Sequence, residues 1–391
     1  VFSHPVDGGA FMVKKVHGGD IYTERELPAG VELVDFSANL NPLGMPQAVK
    51  DALCQEIDTY QSYPDPQCRK LRQAIGRYYG IPDSWIVCGN GAADVIWRLV
   101  LSRKPRRALL PAPTFSEYAE ALECAGCELC YYDLPQKSGF VSDEGFLDAV
   151  RPGIDICFFC NPNNPTGVAV ESGWIRRLME RCQAAGVLLV LDECFIDFLE
   201  EEWRYTALPF LRDFPGTIIL KAFTKMYAMA GIRLGYALCA DEQRILQIGQ
   251  TGQAWSVSTP AACCGIAALS QRDFVEKTKR FIAKERSILQ KGLRSFGLQV
   301  YEAKAHYLFF KAPVPNLPQQ LERLGILIRP CGNYRGLDDY YCRVAVQGRE
   351  DNVPLLTGVR TILKGNADDE QEGNELGWHK QLSLRGQPLM R

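Results

Sequence analysis

The chain has 391 residues, 47% of them hydrophobic and 23% charged, which is the composition of a globular protein long enough for two domains. Its formal net charge of -2 gives no general attraction to nucleic acid or to an anionic membrane, so we predict neither as a partner. No apolar run reaches the roughly 18 residues of a membrane helix, and residues 1–15 lack the pattern of a secretion signal, so we expect a cytoplasmic protein.

The middle of the chain alternates short apolar runs with longer amphipathic ones, which predicts a doubly wound α/β domain with a mainly parallel, seven-stranded sheet. Ligands of such folds bind beyond the carboxyl ends of the strands, so the loops that follow the strands are the candidate site. The predicted strands are Trp85–Cys88, Ala108–Leu110, Glu128–Tyr132, Ile154–Cys160, Val187–Asp192, Thr217–Ala222 and Leu234–Cys239. The predicted helices between them are Ala92–Leu101, Phe115–Cys124, Asp143–Val150 and Gly173–Ala185.

The pattern changes after Ser270 and predicts a smaller α+β domain. A charged helix over Arg272–Phe296 is followed by the predicted strands Tyr307–Lys311, Ile326–Arg329 and Tyr341–Val346. We assign residues 45–270 to the large domain and residues 16–44 and 271–364 to the small one. Residues 365–391 are polar and aperiodic, and we expect a mobile tail there.

Fifteen cysteines raise the question of a metal site or of disulfides. Cys157 and Cys160 have the C-x-x-C spacing of metal ligands, but both lie in the apolar run Ile154–Cys160. Cysteine acts as a small hydrophobe in a buried strand, and odd spacing points the two thiols to opposite faces. An odd number of cysteines without a secretion signal favours reduced thiols, so we predict no metal site and no disulfides.

A glycine-containing turn after the first predicted strand is a candidate anion site. Gly91, Ala92 and Ala93 open a helix, where free backbone N–H groups and the helix dipole favour a phosphate. Many strand-to-helix turns contain glycine only in order to turn, so this signal is weak by itself.

Two polar side chains follow the next core strands. Asn164 lies in the loop Asn161–Gly167, in which two prolines and a glycine restrict the backbone, and its amide can donate to a ring oxygen. Asp192 ends the apolar run Val187–Leu191, where a carboxylate is costly unless a cation accompanies it. A protonated pyridine nitrogen is such a cation.

Lys225 follows the last apolar strand of this series, in the run Ala222–Lys225. Apolar neighbours favour the neutral amine, which is the form that condenses with an aldehyde. Arg233, eight residues further on, can neutralise a phosphate, and Thr224 can add a hydroxyl donor. Together with the earlier loops, these residues predict a site for a phosphorylated pyridine aldehyde.

The ordered set Asn164, Asp192, Lys225 and Arg233, with Tyr118 in the motif Pro113–Tyr118, resembles the fold-type I, aspartate-aminotransferase-like enzymes that use pyridoxal phosphate (PLP). The match is to the branch that contains histidinol-phosphate aminotransferases and the threonine-phosphate decarboxylases of cobalamin synthesis. It extends over His17–Leu363. The resemblance implies the fold-type I PLP-dependent transferase fold and PLP as the cofactor.

Residue roles follow from this resemblance. It implies that Tyr118 stacks on the pyridine ring, that Asn164 donates to the ring 3-oxygen and that Asp192 pairs with the ring nitrogen. Lys225 is expected to be the catalytic residue that carries the cofactor covalently. Tyr63 matches a tyrosine that reaches the cofactor phosphate of a neighbouring subunit, which implies a homodimer.

The chain departs from the wider family at two positions. Phe195 stands where many aminotransferases have a tyrosine whose hydroxyl also contacts the ring 3-oxygen. Ala222 stands where a serine or threonine often binds the cofactor phosphate. Thr224 must then do more of the phosphate binding, and cofactor affinity is the property in question.

The choice of reaction depends on which bond to the substrate α-carbon stands perpendicular to the cofactor ring. Four parts of the chain resemble the decarboxylases more than the aminotransferases: His17–Gly19, Ser37–Gly44, Phe195 and Ile328–Leu337. The expected substrate-binding residues are His17, Gly19, Asn39, Arg329 and Arg343. The arginines suit a small substrate with a carboxylate and a phosphate.

The resemblance therefore implies decarboxylation of L-threonine O-3-phosphate to (R)-1-amino-2-propanol phosphate, the cobalamin linker. Phosphoserine is a close alternative substrate, because a methyl pocket discriminates by only about 1–3 kcal/mol. Histidinol-phosphate aminotransferase is the transferase alternative. A PLP-fold transcription regulator would need a DNA-binding domain, for which we expect no room before the enzyme pattern.

Overall fold

The computed structural model describes residues 17–368. The strands are β1 (Val34–Asp35), β2 (Ile86–Gly89), β3 (Arg107–Ala112), β4 (Glu128–Asp133), β5 (Ile156–Cys160), β6 (Leu188–Asp192), β7 (Thr217–Ala222), β8 (Gly235–Leu238), β9 (Gln299–Val300), β10 (Tyr307–Lys311), β11 (Ile326–Leu327), β12 (Arg329–Pro330) and β13 (Tyr341–Ala345). The α-helices are α1 (Gln47–Gln55), α2 (Arg69–Tyr79), α3 (Gly91–Arg103), α4 (Ser116–Cys124), α5 (Glu144–Ala149), α6 (Ser172–Ala185), α7 (Phe223–Met226), α8 (Glu242–Gln250), α9 (Thr259–Leu269), α10 (Arg272–Ser295), α11 (Leu317–Glu322) and α12 (Arg349–Asp368).

The large domain is built on one 7-stranded sheet in the order β2-β8-β7-β6-β5-β3-β4. The pairs from β7 through β4 are parallel, and among these described strands β8 alone runs antiparallel, to β2 and to β7. The predicted mainly parallel α/β sheet is confirmed. Each predicted strand falls on an observed one, with ends that differ by at most two residues.

The central strands are buried on both faces, which explains their continuous apolar sequences. On β5, Cys157 and Phe159 pack into one apolar cluster with α2, α6 and α9, while Phe158 and Cys160 pack into a second one with α3, α4 and α8. The two thiols therefore face opposite sides of the sheet, as predicted. The fifteen cysteines are all free thiols.

The small domain contains a 4-stranded antiparallel sheet in the order β12-β13-β10-β9. The N-terminal segment joins this domain through β1, which pairs in parallel with β11. Helix α12 continues to Asp368, past the predicted start of the tail at residue 365, and residues 369–391 lie outside the described residues. None of the helices in the described range has both the length and the apolar character needed to cross a bilayer.

Candidate active site

A cavity of about 340 Å³ lies at the carboxyl ends of β5, β6 and β7, and its wall also includes residues of the N-terminal segment, β12 and β13. This is the place expected for a ligand of a parallel α/β sheet. Most of the residues that the sequence singled out line it together: His17, Asn39, Gly91, Ala92, Ala93, Asn164, Asp192, Thr224, Lys225, Arg233, Arg329 and Arg343.

One end of the cavity has the features of a phosphate site. Gly91 begins the 13-residue helix α3 with a φ of +82°, and Gly91, Ala92 and Ala93 line the cavity, so the N-terminus of the helix with its free N–H groups lies at the cavity wall. A Cβ atom at Gly91 would lie 2.6 Å from Arg233 Nη2. The guanidinium therefore sits directly against the helix N-terminus, and two independent sources of positive potential converge on one small space.

Lys225 lies on the short helix α7, directly after β7, and its partly buried side chain lines the cavity. Burial, reinforced by the positive charges of Arg343 and Arg233, lowers the pKa of this amine to about 8. A much larger fraction of the amine is thus neutral near neutral pH than in an exposed lysine. The neutral amine is the nucleophile that an aldehyde requires.

Asp192 is buried at the end of β6, where two donors hold its carboxylate. Tyr118 donates its hydroxyl hydrogen to Oδ2 at 2.5 Å, and the backbone N–H of Cys194 donates to Oδ1 at 2.9 Å. Both hydrogen bonds fix the orientation of the carboxyl group. A carboxyl group held in this way fits a cationic ring nitrogen in the cavity.

The structure does not bring Tyr118 to the cavity wall, where ring stacking would require it. Its ring is fully buried and stacks on Phe158, with 4.8 Å between the ring centroids. Phe115, three residues earlier, lines the cavity instead, because it immediately precedes α4 while Tyr118 turns inward on the first turn of that helix. Phe115 is thus the aromatic residue of the motif that lines the cavity, and Tyr118 holds Asp192 through its hydrogen bond.

Asn164 and Arg343 contact each other at the boundary of the two domains. Arg343 Nη1 donates to Asn164 Oδ1, and Nη2 donates to the carbonyl of Ser37 at 2.8 Å. Because its oxygen is engaged, Asn164 has its NH₂ group left to donate. Asn39 lines the same cavity, and both polar atoms of its buried amide lack a hydrogen-bond partner within residues 17–368.

The two expected substrate arginines are neighbours in the small domain. Arg329 on β12 and Arg343 on β13 are directly paired residues of an antiparallel ladder, so their side chains project from the same face of the sheet. They are only 3% and 5% exposed, and both line the cavity. Arg329 also donates to the carbonyl of Pro330 at 2.9 Å and to Asn333 Oδ1 at 3.0 Å.

Two residues of the N-terminal segment lie in the cavity wall. His17 and Gly18 line the cavity, whereas Gly19 lies behind and donates its N–H to Ser37 Oγ at 2.7 Å. Gly18, rather than the predicted Gly19, is therefore the glycine at the cavity wall.

Tyr63 lies outside the cavity. Its side chain is 81% exposed and stacks on Trp255 at a centroid distance of 4.7 Å. The predicted contact of Tyr63 with a neighbouring subunit involves a second chain and stays a prediction.

Both departures from the wider family lie in the cavity wall. Phe195 and Ala222 line it, and neither side chain carries a hydrogen-bond donor. The ring centroid of Phe195 is 6.0 Å from Lys225 Nζ. Thr224 also lines the cavity, next to the proposed phosphate end.

The cavity fits PLP. The converging Gly91 turn and Arg233 suit its phosphate, the buried anion of Asp192 suits its ring nitrogen, and the amine of Lys225 suits its aldehyde. The fold and this site define a PLP-dependent enzyme of fold type I. The chain belongs to the family described as aminotransferase class I and II, whose model matches residues 31–356.

Individual relatives support this assignment. The chain is 37% identical to a threonine-phosphate decarboxylase from Salmonella typhimurium over 91% of this chain and 99% of the relative. It is 31% identical to a histidinol-phosphate aminotransferase from Symbiobacterium thermophilum over 85% of this chain and 91% of the relative. Among solved structures, histidinol-phosphate aminotransferase from Clostridium acetobutylicum superposes with a TM-score of 0.79 at 26% identity, covering 85% of this chain and 100% of that chain.

Proposed function

We propose that the protein decarboxylates L-threonine O-3-phosphate to (R)-1-amino-2-propanol phosphate, with PLP as cofactor. The observation that carries the proposal is the pairing of Arg329 and Arg343 on neighbouring strands in a closed part of the cavity. Two arginine side chains that project from the same face of a sheet into the cavity can each bind an anionic group in a bidentate way. A small substrate with both a carboxylate and a phosphate matches this arrangement.

The residues around the cavity have separate roles in the proposed reaction. Bound PLP withdraws electrons from the bond that stands perpendicular to its ring. Arg343, fixed by Asn164 and Ser37, is suited to hold one anionic group of the substrate, and Arg329 the other. Lys225, with its pKa lowered to about 8, can return a proton to the α-carbon after carbon dioxide has left.

The relatives support this function and also its alternative. The 37% identical relative is named as a threonine-phosphate decarboxylase, and the chain covers almost all of it. Histidinol-phosphate aminotransferase is the second candidate, favoured by the 31% identical relative and by the TM-score of 0.79. Phosphoserine stays a candidate substrate of the same reaction.

We also propose a cytoplasmic homodimer whose product serves cobalamin synthesis. The exposed stack of Tyr63 on Trp255 supports a subunit contact, because large aromatic side chains at the surface are typical of interfaces. The fifteen free thiols support a reducing compartment. Analytical ultracentrifugation tests the dimer, which a monomer at micromolar concentration would contradict.

A paired assay tests the reaction. Purified protein with PLP is incubated with L-threonine O-3-phosphate, and carbon dioxide is measured. In parallel, it is incubated with histidinol phosphate and 2-oxoglutarate, and glutamate is measured. Carbon dioxide without glutamate is the expected result, and glutamate without carbon dioxide would establish the aminotransferase instead.

A further inference from the structure

A carboxylate lies in the wall of the cavity that the proposed function assigns to a dianionic substrate. Glu117 is at the start of α4, lines the cavity, and has a side chain that is 13% exposed. Neither the motif nor the resemblance assigns it a role. A negative charge in this position would repel a phosphate unless a cation accompanied it.

His17 is one partner of this carboxylate. Its Nε2 atom lies 3.2 Å from Glu117 Oε1, while Trp97 donates its indole N–H to the other oxygen, Oε2, at 3.2 Å. Trp97 belongs to α3, the helix whose N-terminus forms the phosphate end of the cavity. The carboxylate is therefore held from the large domain and directed at the imidazole of the N-terminal segment.

The N-terminal segment that carries His17 also packs tightly against the loop after β1. A Cβ atom at Gly18 would lie 2.1 Å from the carbonyl oxygen of Ser37, so only glycine allows this approach. Ser37 is also the residue whose carbonyl accepts from Arg343. Thus His17 and Arg343 are tied to the same loop.

We infer that Glu117 is a positioning residue that orients the His17 imidazole toward the phosphate of the substrate. With Nε2 directed at the carboxylate, Nδ1 is the ring nitrogen left for the substrate. In the imidazolium form both ring nitrogens carry a hydrogen, so Nδ1 can donate to the substrate phosphate while Nε2 donates to Glu117. This inference rests on the proposed function, because it requires a phosphorylated substrate.

The inference predicts that a substitution of Glu117 changes KM and leaves kcat nearly unchanged. Glu117→Gln keeps the size of the side chain but weakens its hold on His17, so KM for L-threonine O-3-phosphate should rise roughly ten-fold, the effect of one charge-assisted hydrogen bond. The value of kcat should stay within about two-fold, because neither side chain touches the reacting carbon.

A double-mutant cycle separates positioning from a structural effect. If Glu117 acts through His17, the variant His17→Asn/Glu117→Gln should have the same KM as His17→Asn alone. Glu120→Gln is the matched control, because Glu120 is a second carboxylate of α4. One of its oxygens lies within 4.8 Å of a ring nitrogen of His17 and of a carboxylate oxygen of Glu117. All assays contain EDTA, and thermal melts show whether each variant is folded.

Each outcome has one meaning. A wild-type enzyme that does not release carbon dioxide from L-threonine O-3-phosphate would overturn the proposed function, and this inference with it. An active wild type with an unchanged KM in Glu117→Gln would overturn the inference alone. Additive effects of the two substitutions, or an equal rise of KM in Glu120→Gln, would also overturn it.

Discussion

The two ends of the cavity are built in different ways. The cofactor end consists of residues beside the strands of one sheet in the large domain: Gly91 and Lys225 follow β2 and β7, Asp192 ends β6, and Arg233 lies just before β8. The substrate end is assembled from the N-terminal segment, a loop after β1 and two small-domain strands. The first end depends on local strand-to-loop geometry, whereas the second exists only when distant parts of the chain meet. Substitutions at the two ends should therefore affect different measurable quantities.

The largest expected effect is at Lys225, which serves both ends. Lys225→Ala removes the amine that holds the cofactor and returns the proton, and carbon dioxide release should fall by roughly a thousand-fold or more. Lys225→Arg keeps a positive charge without a comparable nucleophile and should be equally inactive. Activity within ten-fold of wild type in either variant would contradict the role of this amine.

Gly91→Ala should affect the cofactor end alone. The added methyl group would lie 2.6 Å from Arg233 Nη2, and alanine would have to adopt a φ of +82°. We expect affinity for PLP to fall by roughly 10- to 100-fold, the effect of about 1–3 kcal/mol of strain.

The matched control for this substitution is Gly80→Ala. Gly80 has a φ of +68° but no atom within 4 Å of its ideal Cβ position, so it carries the backbone strain without the contact. PLP affinity is measured by titration of the apoenzyme. Equal losses in the two variants would show that the contact with Arg233 is unimportant.

Arg329→Lys should affect the substrate end alone. Lysine keeps the charge but not the bidentate geometry, so KM for L-threonine O-3-phosphate should rise roughly ten-fold while PLP affinity stays unchanged. Arg335→Lys is the control, because Arg335 lies in the loop that follows β12, is 57% exposed and pairs with Asp133. A loss of PLP affinity in Arg329→Lys would break the division between the two ends.

Tyr118→Phe is expected to have the smallest effect. It removes the 2.5 Å hydrogen bond to Asp192 but leaves the buried ring, so kcat should fall by roughly three- to ten-fold with little change in KM. Phe115→Leu should instead weaken PLP binding, since Phe115 is the ring that faces the cavity. If Tyr118→Phe weakened PLP binding and Phe115→Leu did not, the result would support the original prediction that Tyr118 stacks on the cofactor ring.

The same division explains what the sequence could reveal. The strands and the residues that follow them were predictable, because continuous apolar runs define buried parallel strands and the loops come directly after them. The sequence could not show that Phe115 lines the cavity in place of Tyr118, because this depends on where α4 begins within a six-residue motif. The partnership of Glu117 with His17 joins positions 100 residues apart, and no local pattern indicates it.

The most direct test of the central claim follows one carbon atom. L-Threonine O-3-phosphate labelled with ¹³C in its carboxyl group is incubated with the PLP-loaded enzyme and observed by NMR. We predict that the label appears in carbon dioxide and bicarbonate, and that an amino alcohol phosphate without the label accumulates in equal amount. Label retained in the carboxyl group of a 2-oxo acid, or left in unchanged substrate, would contradict the assignment of Arg329 and Arg343 to a substrate that loses its carboxylate.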